Sequence, residues 1–495
     1  MSRKLCLCVV DSLRTDMLLR TAEGGRAPNF ATLLSRGELI PDCVSAFPSV
    51  TPVASAEIAT GRRADGHWVP GMNWYHRAER RYIEYGSSFE ATRTFGLFRA
   101  LYDTVYNMNM AHLSSEVETV FERLADAGIR TACTPFLIYR GRTRHELGLE
   151  GILRRAASTA RFDHAVWGPD ELFYGELYAS RRVPCKPTLA RPGTRDEYSG
   201  CVGETLARDD LYDFVLFSLP DNDHHCHSHG PAASLDSIAH ADANFGRLVE
   251  ASGGIEQFLA THAVILMADH AQSDVERLYD ITRVLAEDWL VQEPNTAHPE
   301  LAELAVSPTG RAAWVYLLED DHDRAASLAS RVRTKLAQTP GTDLIAYLDS
   351  SRADGAPVVA VERAGAVLRF WRGGATRDLR GVEWTLDGDP GVLELVERDG
   401  CLLSERYPDP LSRIEAALRS PFAGDLLISC APGWECADWG GQAHLGGGSH
   451  GSLDAADSLA PLLAVGLERF DPAARRQWTL GDVAGLIYRH FEIEQ

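Results

Sequence analysis

The chain has 495 residues, 45% hydrophobic and 24% charged, with a formal net charge of −21 from 70 acidic and 49 basic residues. That length exceeds one ordinary domain and allows a sizeable core. The acidic balance excludes a nucleic-acid groove and an anionic membrane surface as partners, although bound metal can supply the local positive charge a phosphate ester needs.

Leu5 to Val10 is an unbroken apolar run ending at Asp11. It predicts a buried parallel strand with a carboxylate at its C-terminal end, where open α/β sheets bind ligands. The run is too short for a signal peptide, and no stretch reaches the ~20 apolar residues of a membrane span. The 10 cysteines are scattered without a Cys-x-x-Cys pair, which predicts reduced, buried thiols and a cytoplasmic protein. Pro28 to Ser35, stopped by Gly37, reads as a helix. Next comes Ser45-Ala46-Phe47-Pro48-Ser49-Val50-Thr51-Pro52, running on to Thr60-Gly61. Its hydroxyls read as helix caps, or Thr51 reads as a nucleophile at a strand-to-helix junction.

Asn73 to His112 is rich in aromatics, from Trp74 and Tyr75 through Tyr82 and Tyr85 to Tyr106. They predict local core, with pocket lining as the alternative. Ser115-x-x-Glu118 reads as a capping box closed by Gly128, and Ile129 to Leu137 as a strand. Arg140 to Arg161 reads as a solvated basic face, or as a lid over a phosphate site. Phe214 to Leu219 and Ala263 to Ala268 read as buried strands. A His-dense polar loop follows the first, and Asp269-His270 ends the second. Between them, Leu235 to Leu248 has helical spacing. Beyond Arg283 an α+β pattern takes over: strands at 312–318, 344–348, 358–362 and 367–371, and a helix at 323–337. The buried-strand pattern returns at Asp425 to Cys430. A Gly-rich loop then leads to Ser449-His450-Gly451, and Asp471 to His490 reads as a closing helix.

Strands followed by Asp or His are the chemical signal. Asp11, Asp223 with His227, Asp269 with His270, and His450 make an oxygen-and-imidazole set without thiolate, which suits zinc or manganese. Two divalent ions about 4 Å apart need around six such ligands and stabilise both oxygens of an in-line displacement.

These pieces resemble the alkaline phosphatase superfamily, and within it the type I phosphodiesterase/nucleotide pyrophosphatase branch. The matching stretches are Val10-Asp11-Ser12-Leu13-Arg14, Phe47-Pro48-Ser49-Val50-Thr51 with Thr60-Gly61, Asp223-x-x-x-His227-x-x-Gly230-Pro231, Ala268-Asp269-His270 and Ser449-His450-Gly451, in the family's order. The resemblance implies that Asp223, His227 and His450 hold one zinc, and that Asp11, Thr51, Asp269 and His270 hold the other. Thr51 would be the nucleophile, and Asn73 would hold a phosphoryl oxygen. Asp221 with His225 shares the internal spacing of Asp223 with His227, but Gly230-Pro231 then falls out of register. The Cys-x-Pro-x-Arg of sulfatases does not match Cys43 to Phe47, and Thr51 stands where classical alkaline phosphatases carry Ser.

The expected fold is a three-layer α/β/α domain with a mostly parallel sheet and an inserted α+β subdomain. Residues 1–285 and 425–495 would form the catalytic core, and 286–424 a cap or accessory domain. The expected activity is metal-dependent hydrolysis of a small phosphodiester or nucleotide pyrophosphate. The alternatives are a phosphomonoesterase or phosphonate hydrolase with the same site, and a metal-binding protein with a dead site.

Overall fold

A computed structural model describes residues 3–148, 164–175, 177–186, 194–349, 358–440, 443–468 and 470–494. An eight-stranded central sheet is built from β1 (Lys4–Val10), β2 (Glu38–Val44), β3 (Thr131–Cys133), β4 (Glu171–Tyr174), β5 (Tyr178–Ala179), β6 (Phe214–Leu219), β7 (His262–Met267) and β8 (Leu459–Val465). Their order is β2-β8-β7-β1-β6-β3-β4-β5. The pairs from β7 through β1, β6 and β3 to β4 are parallel, while β8 is antiparallel to both its neighbours.

β1 is apolar throughout because both its faces are covered. Leu5, Leu7 and Val9 enter one core with Val53 and Ala54 of helix α1 (Thr51–Thr60). Cys6, Cys8 and Val10 enter a second core on the opposite face. There they meet Val202 of α2 (Arg195–Arg208) and Phe245 of α4 (Leu235–Ala251). This is the expected three-layer sandwich. The loop expected after β6 is instead helix α3 (Asp221–His229). Its polar residues carry no apolar stripe, so periodicity could not reveal it.

A second, nine-stranded sheet occupies most of 304–430. The strand Leu426–Cys430, expected in the catalytic core, lies in this sheet between Ala312–Leu317 and Thr342–Asp349. A fully buried strand looks the same in either sheet, so the pattern alone misassigns it. The capping box also falls elsewhere: Thr119 and Glu122 cap each other's backbone at the helix Val120–Asp126. The strand expected over 129–137 covers only Thr131–Cys133, and the closing helix only Asp482–His490. Cys185 and Cys201 form a disulfide, contrary to the expectation of thiols alone. Among the described residues, no helix is long and apolar enough to cross a membrane.

Most of the 74–106 aromatics are core: Trp74, Tyr75, Tyr82, Tyr85 and Phe95 are all buried. Arg142 and Arg144 pair with Asp126 and Glu146 at the surface, as a solvated face requires, but Arg140 is mostly buried against Glu122 and donates to the Leu113 and Ser114 carbonyls. Arg154 and Arg155 lie outside the described residues.

His67, next to this core, is fully buried, and burial lowers its pKa to about 3. It is therefore neutral when folded but takes a proton near 6.5 when unfolded. Its contribution to stability is complete above about pH 6.5 and is lost as pH falls towards 3. Urea melts at pH 7 and pH 4.5 should show a loss of roughly 2–3 kcal/mol from this residue, absent in His67→Gln.

Candidate metal centre and active site

Three adjacent parallel strands deliver the site. β1 ends at Asp11, β7 runs into Asp269-His270, and β6 runs into α3, which carries Asp223 and His227. The edge strand β2 returns through 45–50 to α1, whose first residue is Thr51. Val50 is the N-cap and no side chain caps this helix, so the cap reading of Thr51 does not hold. Gly61, at φ 66°, ends the helix in a left-handed turn.

The three hydroxyls of this turn have different partners. Ser45 Oγ donates to the Asp269 carbonyl (2.6 Å), and Ser49 Oγ donates to the Ser452 carbonyl (2.8 Å). Both stitch the turn to the ligand loops. Thr51 faces the cavity, with Oγ1 3.2 Å from His270 Nε2.

The imidazoles share one arrangement. His227 Nδ1 donates to Gly448 O (2.8 Å), His450 Nδ1 to Ser49 O (2.8 Å) and His270 Nδ1 to Ala271 O (3.2 Å). A carbonyl only accepts, so each Nδ1 carries a proton and each Nε2 is the nitrogen open to a cation, whether a metal ion or a second proton. Those Nε2 atoms converge on carboxylates. His227 and His450 lie 3.3 and 3.5 Å from Asp223 Oδ1, while His270 lies 3.3 Å from Asp269 Oδ2 and 3.7 Å from Asp11 Oδ1. Ligand atoms of Asp223, His270 and His450 fall within 4.8 Å of one another, as do those of Asp11, Asp269 and His270.

The electrostatics are those of a site built around positive charge. Burial, then the charges of Asp269 and Asp223, push the Asp11 carboxyl well above its usual range, and its buried Oδ1 has no hydrogen-bond partner. Burial, then Asp223, raise Asp269 to about 6. Burial opposes ionisation of Asp223 too, but His227 above all outweighs it and holds that carboxyl well below its usual range, while burial of His227 is in turn outweighed by Asp223, which raises that ring to about 9. Burial lowers His270 to about 4 and His450 to about 3, keeping both neutral and able to ligate. Three carboxylates, two neutral imidazoles, a third imidazole whose Nε2 attracts a cation, and an orphaned carboxylate oxygen fit two divalent cations.

Asn73 is buried on the cavity wall, its Nδ2 donating to Pro308 O. One N–H of its amide is thus engaged and a second remains. The rival pair is not at the centre: Asp221 accepts from the Asp196 N–H, and His225 lies against Ala233 O.

Two residues missed in the sequence tie the ligand groups together. Ser12 Oγ donates to Asp223 Oδ1 (2.8 Å) while its N–H donates to Asp269 Oδ1 (3.2 Å). Gln272 Nε2 also donates to Asp223 Oδ1. Their adjacency to Asp11 and His270 was the only available signal. The second sheet contributes too. Arg311 N–H donates to His450 O (2.7 Å), and its guanidinium is buried against Asp457. A Cβ at Gly310 would sit 2.2 Å from His450 O, so only glycine allows this approach.

Asp11, Thr51, Asp223, His227, Asp269 and His450 line a cavity of about 440 Å³. Phe136, Leu137, Tyr174 and Leu177 line another part of its wall. Arg195 is the only Arg or Lys among its described lining residues.

A model of the family described as type I phosphodiesterase/nucleotide pyrophosphatase matches residues 5–453. The chain belongs to this family. It is accordingly a hydrolase of the phosphodiesterase/nucleotide pyrophosphatase class, within the alkaline phosphatase superfamily. The solved structure of murine ectonucleotide pyrophosphatase/phosphodiesterase 5 has a similar fold, with a TM-score of 0.56 at 12% identity, covering 99% of this chain and 96% of that one. No curated protein matches the chain.

Proposed function

We propose that this family member cleaves a phosphodiester or nucleotide pyrophosphate bond with Thr51 as nucleophile, supported by two divalent metals, zinc in preference to manganese. The observation that carries this reading is the set of three imidazoles held by backbone carbonyls at Nδ1, with Nε2 turned to Asp223, Asp269 and Asp11 beside Thr51. Asp223, His227 and His450 would hold one ion, and Asp11, Thr51, Asp269 and His270 the other. When bound, the ions supply charge neutralisation for the phosphoryl group and lower the pKa of the nucleophile.

The chain's own groups do the rest. Thr51 Oγ attacks phosphorus and the ester or anhydride oxygen leaves, giving a phosphothreonine. Water then attacks the same phosphorus and returns the Thr51 hydroxyl. The N-terminus of α1 places positive potential behind the phosphoryl oxygens. The free N–H of Asn73 and the Thr51 backbone N–H act as donors to them.

Rates on bis-p-nitrophenyl phosphate, p-nitrophenyl phosphate and phosphonoacetate test the substrate class. The diester should be fastest; a faster monoester or phosphonate would favour those hydrolases with the same residues. Turnover of none of the three by the zinc-bound protein would leave a dead site.

Arg195 lines the same cavity as Phe136, Leu137, Tyr174 and Leu177, a combination that suits a leaving group pairing an aromatic or apolar body with an anion. Arg195→Ala should raise KM for a nucleotide substrate about tenfold, roughly 1.4 kcal/mol, with kcat within about twofold, as measured by steady-state kinetics.

A further inference from the structure

Behind the catalytic centre, helices α2 and α3 begin facing each other. Asp196, in the first turn of α2, and Asp221, the first residue of α3, cap one another: Asp196 N–H donates to Asp221 Oδ2 (2.9 Å) and Asp221 N–H donates to Asp196 Oδ1 (3.0 Å). Each carboxylate thus has one oxygen engaged. The remaining oxygens, Asp196 Oδ2 and Asp221 Oδ1, are buried and have no hydrogen-bond partner. Asp196 is 0% exposed and Asp221 7%. His240, half-buried on α4, brings an imidazole nitrogen to the same place, and ligand atoms of all three residues lie within 4.8 Å of one another.

We propose that Asp196, Asp221 and His240 form a third divalent-cation site, separate from the catalytic pair, that pins α2, α3 and α4 together. Two close buried carboxylates need a counter-charge, and helix N-termini provide only part of one. The formal cation beside them is Arg195, whose Nε lies 3.7 Å from Asp221 Oδ1 and whose side chain is 48% exposed. It leaves Asp196 Oδ2 unanswered. Asn244 Nδ2, 3.2 Å from His240 Nε2, is a neutral neighbour. Two carboxylate oxygens and one imidazole suit Mn²⁺ or Zn²⁺, with water completing the shell on the half-buried His240 side. Asp221 is two residues from Asp223 on the helix that also carries His227, but the reciprocal backbone caps hold that helix start by themselves, so the ion would add to the pinning of the three helices without being needed for turnover.

Burial, followed by the Asp221 charge, pushes the Asp196 carboxyl well above its usual range. A proton on Asp196 is therefore the rival occupant. Mn²⁺ equilibrated with the full-length protein, dialysed and counted by elemental analysis and electron paramagnetic resonance, separates the two. Asp196→Asn keeps the Oδ1 that accepts the Asp221 N–H, and His240→Gln changes a different helix. Each variant should hold one Mn²⁺ equivalent fewer than the wild type while retaining kcat on bis-p-nitrophenyl phosphate within about threefold at saturating metal. An Asp223→Ala background, in which the catalytic centre is damaged, should still lose one further equivalent when His240→Gln is added. Unchanged Mn²⁺ stoichiometry in both folded variants would overturn the site and leave a protonated Asp196. Loss of the equivalent together with turnover would also overturn it, by tracing the missing ion to the catalytic pair.

Discussion

Thr51→Ala should lower kcat at least about 1,000-fold, roughly 4 kcal/mol of lost transition-state stabilisation, while metal content stays near that of the wild type. The two halves of this expectation come from different contacts. The hydroxyl is the one in its turn that faces the cavity, 3.2 Å from His270 Nε2, whereas Ser45 and Ser49 are bound to backbone carbonyls. Without it there is no atom to carry the phosphoryl group. Metal retention follows because the proposed ligand set has six other side chains. The helix also tolerates the change: Val50 is the N-cap, so no capping bond is lost. Thr51→Ser should keep turnover within roughly tenfold to a hundredfold of the wild type, since a hydroxyl persists at the start of α1 with one extra rotameric freedom. Steady-state kinetics beside elemental analysis of the same preparations check both. Full activity in Thr51→Ala would remove Thr51 from the chemistry.

The second large effect concerns His450. This ring is buried, holds the Ser49 carbonyl through Nδ1, and places Nε2 3.5 Å from Asp223 Oδ1. Its truncation removes one of three ligands from the Asp223 ion and leaves a buried carboxylate less well balanced. Tight coordination depends on ligand count, so His450→Ala should bind that ion at least about 100-fold more weakly and turn over at under about 1% of the wild-type rate. Added Zn²⁺ or imidazole should restore part of the activity. Zinc content equal to the wild type after dialysis would break the ligand assignment.

The residues that cluster at the candidate site were legible because they follow strands that parallel-sheet packing makes recognisable. Leu5 to Val10 is apolar at every position, and Asp11 must then lie at the sheet's ligand-binding edge. Asp269-His270 follows β7 in the same way. What the sequence hid has physical reasons. Helix α3 is polar on all sides, so its residues 221–229 read as a loop although they form nine residues of helix. The strand 426–430 is buried on both faces in a sheet other than the expected one. Cys201 lies mid-way along α2 and meets Cys185 only in the fold, which no spacing rule encodes. Ser12 sits at φ 58°, an uncommon conformation for serine that lets its N–H and Oγ serve the two ligand groups at once. Only the folded backbone reveals that role. The aromatic segment mostly met the core reading, yet Tyr85 both packs inside and borders the cavity, so the two readings were not exclusive.

The proposed metal set would let the same stretch both begin a helix and act as nucleophile. Thr51 needs the positive end of α1, and the ligand loops need the carbonyls of the turn before it. Ser49 O fixes His450, and Ser45 fixes the Asp269 backbone. A change in this turn should therefore disturb ligation and attack together, unlike a change at Arg195, which stands outside the proposed ligand set.

The most direct measurement is an acid quench of the enzyme during turnover of a nucleotide or diester substrate, followed by peptide mass spectrometry. A single added phosphoryl group should appear on the peptide containing Thr51. It should accumulate within the first turnover, disappear as substrate is exhausted, and be absent from Thr51→Ala. Turnover with no phosphorylated Thr51 at any time, together with inversion of configuration at a chiral phosphorus centre, would mean that water attacks directly and would contradict the covalent mechanism.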